Sequence, residues 1–590
     1  MAIKNPPADV VIVGFGWAGA IMAKELADAG LDVVALERGE MQDTPTTANY
    51  PNVIDELSHS VRGKLFQDLS KETVTFRHGL NDVAVPYRQH GVILLGTGVG
   101  GSGFHWNGLS WRAQESDLRL RSHYEERYGK KFIPETMTIQ DYGVSYAELE
   151  PYFTRWEDVA AVSGTAGNIN GVLMEGGNQL EAPRSKAYPV PALKSIYGGQ
   201  IFAKAALEVG LKPFPIPAAN ASAPHTNPYG VRLGPCNFCG FCENYGCYMY
   251  SKASPQVSIM PALMPMKNFQ LRTRAQVIKV NTDASGKVAT GVSYIDAQGQ
   301  EVEQPAKIVI LSAFQLHNVR LLLLSGIGQP YDPINNTGVV GKNYAYHFSG
   351  GVSITLPKGT QLNPFIGAGA AGSAIDEYNG DHFDHGPLGF VGGASIRHGR
   401  TGGRPIGQSS PGKSGPKWGK GWKAAIQDNY QRTMGIGTQG SVAAYRDAYL
   451  SLDPTYNDAF GKPLLRITFD WHPNEYEMSK FVVSQAERIG NATGGKVEVN
   501  LRKPGTHFDT RPYQSTHTTG GAIMGENPKT SVVNRYLQSW DVPNLFVVGA
   551  SAFPQNLGYN PTGLVAALTF WSAKHIRDVY MKNPGPMVQA

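Results

Sequence analysis

The chain has 590 residues, 41% of them hydrophobic and 10% aromatic, with a formal net charge of +5. That is ample apolar material for a large core, in a length that about four units of roughly 150 residues would fill. So small a charge, with no basic run, excludes nucleic acid or an anionic membrane as the main partner.

The N-terminus, MAIKNPPADVVIVGFG, passes almost directly into a strand without an apolar run and cleavage site, so no export signal is read there. Val10 to Val13 form an apolar run suited to a strand buried on both faces. Gly14, Gly16 and Gly19 then spell G-x-G-x-x-G, a helix is predicted from about Ala18 to Ala29, and a second strand, Asp32 to Leu36, ends at Glu37. Glycines at such a turn let a pyrophosphate rest on the helix N-terminus, and the acid after the second strand can bind ribose hydroxyls. The glycine pattern alone is weak evidence. Strand, helix and acid in the right order around it predict a dinucleotide site, without choosing between NAD and FAD.

A second glycine-dense loop, GTGVGGSGFHWNGLSWR, spans Gly96 to Arg112 and carries His105, Trp106, Asn107 and Arg112. YAELEPYFTRWEDVA reads as a helix. All four cysteines then fall in GPCNFCGFCENYGC, as Cys236, Cys239, Cys242 and Cys247, spaced C-x2-C-x2-C-x4-C. Two disulfides or a four-thiolate zinc site are possible readings. Iron–sulfur ligation is better supported, because thiolates two residues apart on a turning backbone can reach different irons of one cluster. The last gap and Tyr248, in place of the ferredoxin proline, depart from the ferredoxin run and permit a three-iron cluster.

Ile308 to Leu311 predict another buried strand, followed by a leucine-ended helix. The stretch from about 360 to 420, rich in Gly, Ser and Pro, reads as a long surface excursion, and His382 and His385 within it lack a third convergent ligand. The uncharged stretch between Asp541 and Lys574 is interrupted by Pro554, Gln555, Asn556, Asn560 and Pro561, which predicts two short elements and a loop rather than a membrane span. In NPTG, Asn560 suits an N-cap and Pro561 the first turn of an apolar helix.

Taken in order, the Gly14 motif, GTGVGGSGFHWNGLSWR, STHTTGGAIMG and NLFVVGASAFPQNLGYNPTGLVAALTFWSA resemble the glucose-methanol-choline (GMC) family of FAD oxidoreductases, from residue 9 to about 580. The resemblance implies an α/β fold: a Rossmann-like FAD-binding domain with an antiparallel-sheet substrate domain. The expected division is 1–160, 195–345 and 505–590 for FAD, with the cysteine loop 234–250, and 161–194 with 346–504 for substrate. It further implies FAD contacts at Gly14, Gly16, Gly19, Glu37, Gly100, Gly101, His105, Trp106, Asn107, Val277, Ala550, Pro561 and Thr562. His517 becomes the expected base, suited by a near-neutral imidazole, with Asn560 holding the substrate oxygen. The GFHW context implies a covalent histidyl-FAD link at His105.

GFGWAGAIMAKEL, RSHYEERYGK and GPCNFCGFC together resemble the large flavoprotein subunits of bacterial membrane-bound sugar-acid dehydrogenases of this family. That implies a 3Fe-4S cluster on three of Cys236, Cys239, Cys242 and Cys247, with Cys247 the expected spare. It also implies a small subunit with a twin-arginine signal, a membrane-bound multihaem cytochrome c, the periplasmic face of the inner membrane, and gluconate as substrate, with 2-ketogluconate, sorbitol, fructose and other sugars or polyols left open. An NAD-linked dehydrogenase or plain oxidase, which would have no use for the cysteine loop, is the rival reading, as is a non-catalytic flavin and cluster protein.

Overall fold

The computed structural model describes residues 3–43, 73–87, 93, 95–243, 245–364, 366–400, 415–511 and 515–589. The glycine motif sits between β1 (Ala8–Val13) and α1 (Trp17–Asp28), and β2 (Val33–Leu36) follows. Four more strands, β3 (Phe269–Arg272), β4 (Gln276–Thr282), β5 (Ala289–Ile295) and β6 (Glu301–Leu311), complete a sheet in the spatial order β3-β2-β1-β6-β5-β4. The pairs from β3 to β6 are parallel, and β5 and β4 form an antiparallel extension. Ile3–Lys4 and Leu545–Val547 add to β6 in parallel. Val10–Val13, all of β2 and the last four residues of β6 are buried, as an uninterrupted apolar run in a sheet covered on both faces requires.

The second sheet is antiparallel throughout. Its strands are Phe214–Pro215, β7 (Phe348–Thr355), β8 (Ala368–Ile375), β9 (Ala394–Arg400), β10 (Thr433–Gly440) and β11 (Lys496–Asn500), ordered 214–215, β8, β9, β10, β7, β11. Strict alternation gives it two unlike faces. Val352, Ile354, Ile396, Met434 and Ile436 are buried, and β7 and β10 pack against α2 (Pro473–Ala492). The other face carries Ser349, Gly351, Ser353, Ser395, Arg397, Gly435, Gly437 and Gln439, paired in register.

Two features differ from the expectation. The 360–420 stretch supplies β8 and β9 of this sheet rather than a surface excursion; residues 401–414 lie outside the described residues. Its glycines and alanines mimic a loop because small side chains are what one face of the sheet uses. Residues 197–215, expected with the FAD unit, supply helix Tyr197–Glu208 packed on β8 and β9 and the edge strand 214–215. Strand Thr75–Arg77 likewise pairs with Pro463–Thr468. The 541–574 region holds Leu545–Val547 and α3 (Thr562–His575). No helix of the described residues is long and apolar enough to cross a membrane.

Candidate active site

At the end of β1 the backbone turns at Gly14, whose φ of +90° suits glycine, and a Cβ there would lie 2.7 Å from Ala313 Cα. A Cβ on Gly19 would lie 2.1 Å from the Gly14 carbonyl oxygen, so α1 can approach the turn only because that residue is glycine. Glu37 accepts hydrogen bonds from Phe15 N (3.0 Å) and Gly39 N (2.9 Å), which places its carboxylate at the mouth of the turn. One continuous cleft is lined by Gly14, Gly16, Glu37, Gly101, Val277, Ala550, Pro561 and Thr562, the last two at the start of α3. A dinucleotide fits these residues: glycine turn and helix N-terminus at one end, an acid for ribose, and a second helix N-terminus at the far end.

The remaining expected contacts stand behind the lining. Gly19 packs under Gly14, and Gly100 N donates to Phe15 O at 2.8 Å. Trp106 Nε1 donates to Ala253 O at 2.7 Å, and Asn107 Oδ1 accepts from Leu109 N at 3.1 Å. His105 is buried at the end of the short helix Ser102–His105, whose first two residues do line the cleft; burial lowers its pKa to about 3 and keeps it neutral. Arg112 is committed elsewhere, in a bidentate pair with Glu157 at 2.8 Å.

His517 and Asn560, 43 residues apart in sequence, meet: Asn560 Nδ2 lies 3.2 Å from His517 Nε2. Asn560 is not the helix cap expected from NPTG. Pro561 precedes α3 with no side-chain cap, because the Asn560 amide is turned into the site, where its Oδ1 accepts from Trp111 Nε1 (3.2 Å) and Gln439 Nε2 (3.4 Å). His517 Nδ1 lies 2.8 Å from Nδ1 of His347, a buried residue that sequence reasoning missed, since a lone histidine before an alternating strand carries no signal. His347 Nε2 lies 2.7 Å from Leu557 O. A carbonyl only accepts, so neutral His347 carries its hydrogen on Nε2 and its Nδ1 accepts from His517 Nδ1–H. The lone pair of His517 is thereby left on Nε2, facing Asn560. Burial, then the neighbouring His347 and the Arg397 charge, hold His517 well below the usual imidazole range, so it is an unprotonated base.

The four cysteines are free, with Cys242 buried and the others half-buried. Amide donors point at three sulfurs: Phe238 N to Cys236 (3.4 Å), Lys252 N to Cys247 (3.3 Å) and Asn220 Nδ2 to Cys242 (3.7 Å). The buried Lys252 ammonium caps the carbonyls of Trp106, Cys242 and Tyr245. Burial and mutual repulsion push Cys236 up to about 12 and Cys239 to about 11, so thiolates here need a cation to form. No three of the sulfurs lie within 4.8 Å of one another; among the described residues only His78, Asp470 and His507 do so. The sulfurs are therefore not gathered into a closed ligand set, and four thiols in one short loop are the donors that a metal or iron–sulfur centre would use. Cys242 packs in one apolar cluster with Trp111 and Tyr559, so loop and Asn560 share a wall.

Residues 84–349 and 444–569 match the N- and C-terminal profiles of the GMC oxidoreductases. The chain belongs to the GMC oxidoreductase family. It is 57% identical, over 99% of its length and 95% of the relative, to the gluconate 2-dehydrogenase flavoprotein of Pantoea cypripedii. It is 27% identical to 2-methyl-1,2-propanediol dehydrogenase of Mycolicibacterium austroafricanum (98% and 96% covered) and 25% identical to the fructose dehydrogenase large subunit of Gluconobacter japonicus (98% and 99%). Pyridoxine 4-oxidase from Mesorbium loti shares the fold, with a TM-score of 0.60, 17% identity, and 96% and 98% of the chains covered. As a GMC oxidoreductase the chain is an FAD-dependent alcohol dehydrogenase of mixed α/β fold, and the cleft from Glu37 to Thr562 is where its dinucleotide fits.

Proposed function

We propose that this GMC enzyme oxidises the secondary alcohol at C2 of D-gluconate to 2-keto-D-gluconate. The full-length 57% identity to a gluconate 2-dehydrogenase flavoprotein carries this reading, and the His347–His517–Asn560 arrangement supports it. FAD, when bound in the cleft, supplies the two-electron hydride acceptor. The substrate hydroxyl enters between Asn560 Nδ2 and His517 Nε2, donating to the imidazole and accepting from the amide. His517 Nε2 takes the hydroxyl proton as the C2–H hydride leaves and the C=O bond forms. His347 keeps the Nδ1 proton of His517 in place throughout, and Asn560 stays on the new carbonyl oxygen.

Cys236, Cys239 and Cys242, with Cys247 spare, are proposed as the residues that would hold a 3Fe-4S cluster, which would supply one-electron transfer toward a multihaem cytochrome c subunit. A small subunit with a twin-arginine signal would carry the chain to the periplasmic face of the inner membrane. His105, neutral and next to the cleft-lining Ser102 and Gly103, is proposed as a covalent anchor for the flavin.

The purified protein, assayed with an artificial electron acceptor against gluconate, 2-ketogluconate, sorbitol and fructose, with and without oxygen, should turn over gluconate fastest and independently of oxygen. Preference for any other member of the panel would overturn the substrate assignment. Acid precipitation should leave the yellow colour in the pellet; its complete release would remove the His105 link.

A further inference from the structure

The sequence singles out no cation for a substrate carboxylate; the second sheet does. Arg397 lies on β9, on the face that also bears Ser349, Ser353, Ser395 and Gln439. Its guanidinium donates to Ser395 Oγ (2.9 Å) and Gln439 Oε1 (3.1 Å). Gln439 Nε2 in turn donates to Asn560 Oδ1 at 3.4 Å, and Asn560 meets His517. One side chain therefore separates Arg397 from the amide that holds the substrate oxygen. Directly opposite Arg397 in the register is Gly437, and a Cβ built there meets nothing within 4 Å, so the sheet surface beside the guanidinium is open.

In a 2-hydroxy acid the carboxyl carbon is bonded to the carbon being oxidised, so a cation for that carboxylate must stand one residue away from the Asn560–His517 pair. We propose that Arg397 binds the substrate carboxylate and sets the preference for a polyhydroxy acid over a neutral sugar, which rests on the dehydrogenase function proposed above. A guanidinium suits the task, since its planar fork matches a carboxylate. Its field also reaches both imidazoles: Arg397 is among the causes that lower His517 and His347. A carboxylate seated on Arg397 would cancel that field and strengthen the base only when an acid substrate is bound.

The test compares D-gluconate with D-gluconamide, which keeps every hydroxyl and loses the charge, in dye-linked steady state. R397Q should lower kcat/KM for gluconate by about 100-fold, mostly through KM, as loss of one partner of a desolvated charge pair does. The loss on gluconamide should be at least ten-fold smaller. Equal losses on the two substrates would reduce Arg397 to positioning Gln439 and overturn the inference, as would an unchanged KM for gluconate. Flavin absorbance of the variant reports folding; should R397Q lose flavin, R397K keeps the charge without the fork and should raise KM for gluconate selectively. The two readings fail separately. A wild type that turns over only neutral sugars defeats the function and this inference together, whereas a gluconate-active wild type with an indifferent R397Q defeats the inference alone.

Discussion

His347 Nδ1 and His517 Nδ1 lie 2.8 Å apart, and the Leu557 carbonyl on the far side of His347 decides which of them carries the hydrogen. The imidazole proposed as the base is thus given its tautomer by a residue 170 positions away in sequence.

His517→Asn should lower kcat by about 10³-fold, within the usual worth of a general base. His347→Ala should lower it about 10-fold to 10²-fold by freeing the tautomer, at unchanged flavin content. Stopped-flow flavin bleaching with gluconate measures both; a His517→Asn variant with full turnover would sink the base assignment.

Burial holds His347 at about 3, far below an ordinary imidazole. Unfolding therefore takes up a proton between about pH 3 and the ordinary imidazole value of about 6.5. Stability from this group is lost as pH falls from about 6.5 toward 3, and is untouched above. At pH 5 the cost is about 2 kcal/mol. His347→Gln should show a smaller drop in apparent melting temperature between pH 7.5 and 5 than the parent. An identical drop in both would mean that the imidazole is not buried neutral.

Gly19→Ala forces a methyl group against the Gly14 carbonyl, where a Cβ has only 2.1 Å. The backbone must move, at about 1–3 kcal/mol, and the cleft floor moves with it. The expected result is protein of reduced FAD occupancy and lower melting temperature, whereas Gly30→Ala, whose Cβ meets nothing, strains only its own turn at φ +86° and should keep its flavin.

Lys252 satisfies three carbonyls around the cysteine loop from a fully buried position. Lys252→Met leaves those oxygens unpaired at about 1–3 kcal/mol each. Iron per flavin should fall at least several-fold in the purified variant while gluconate still bleaches the flavin. Cys239→Ser should do the same, and full iron in either would argue against the loop as the iron site.

By itself the sequence determined the dinucleotide half of this protein. β1, the Gly14 turn, α1, β2 and Glu37 are contiguous, so their apolar runs and glycine spacing report local geometry directly. His517, Asn560 and the cysteines could be singled out as candidates because each sits in a short motif of its own. The β8 and β9 strands were not, since Gly, Ala and Ser on one sheet face look like a loop until the partner strands are known. Only the tertiary structure decided that Asn560 faces His517 instead of capping α3, that His347 fixes the tautomer, and that Arg397 stands beside them. Those facts depend on antiparallel register between strands far apart in the chain, and a pairing one residue out of register would turn Arg397 and Gln439 to the opposite face.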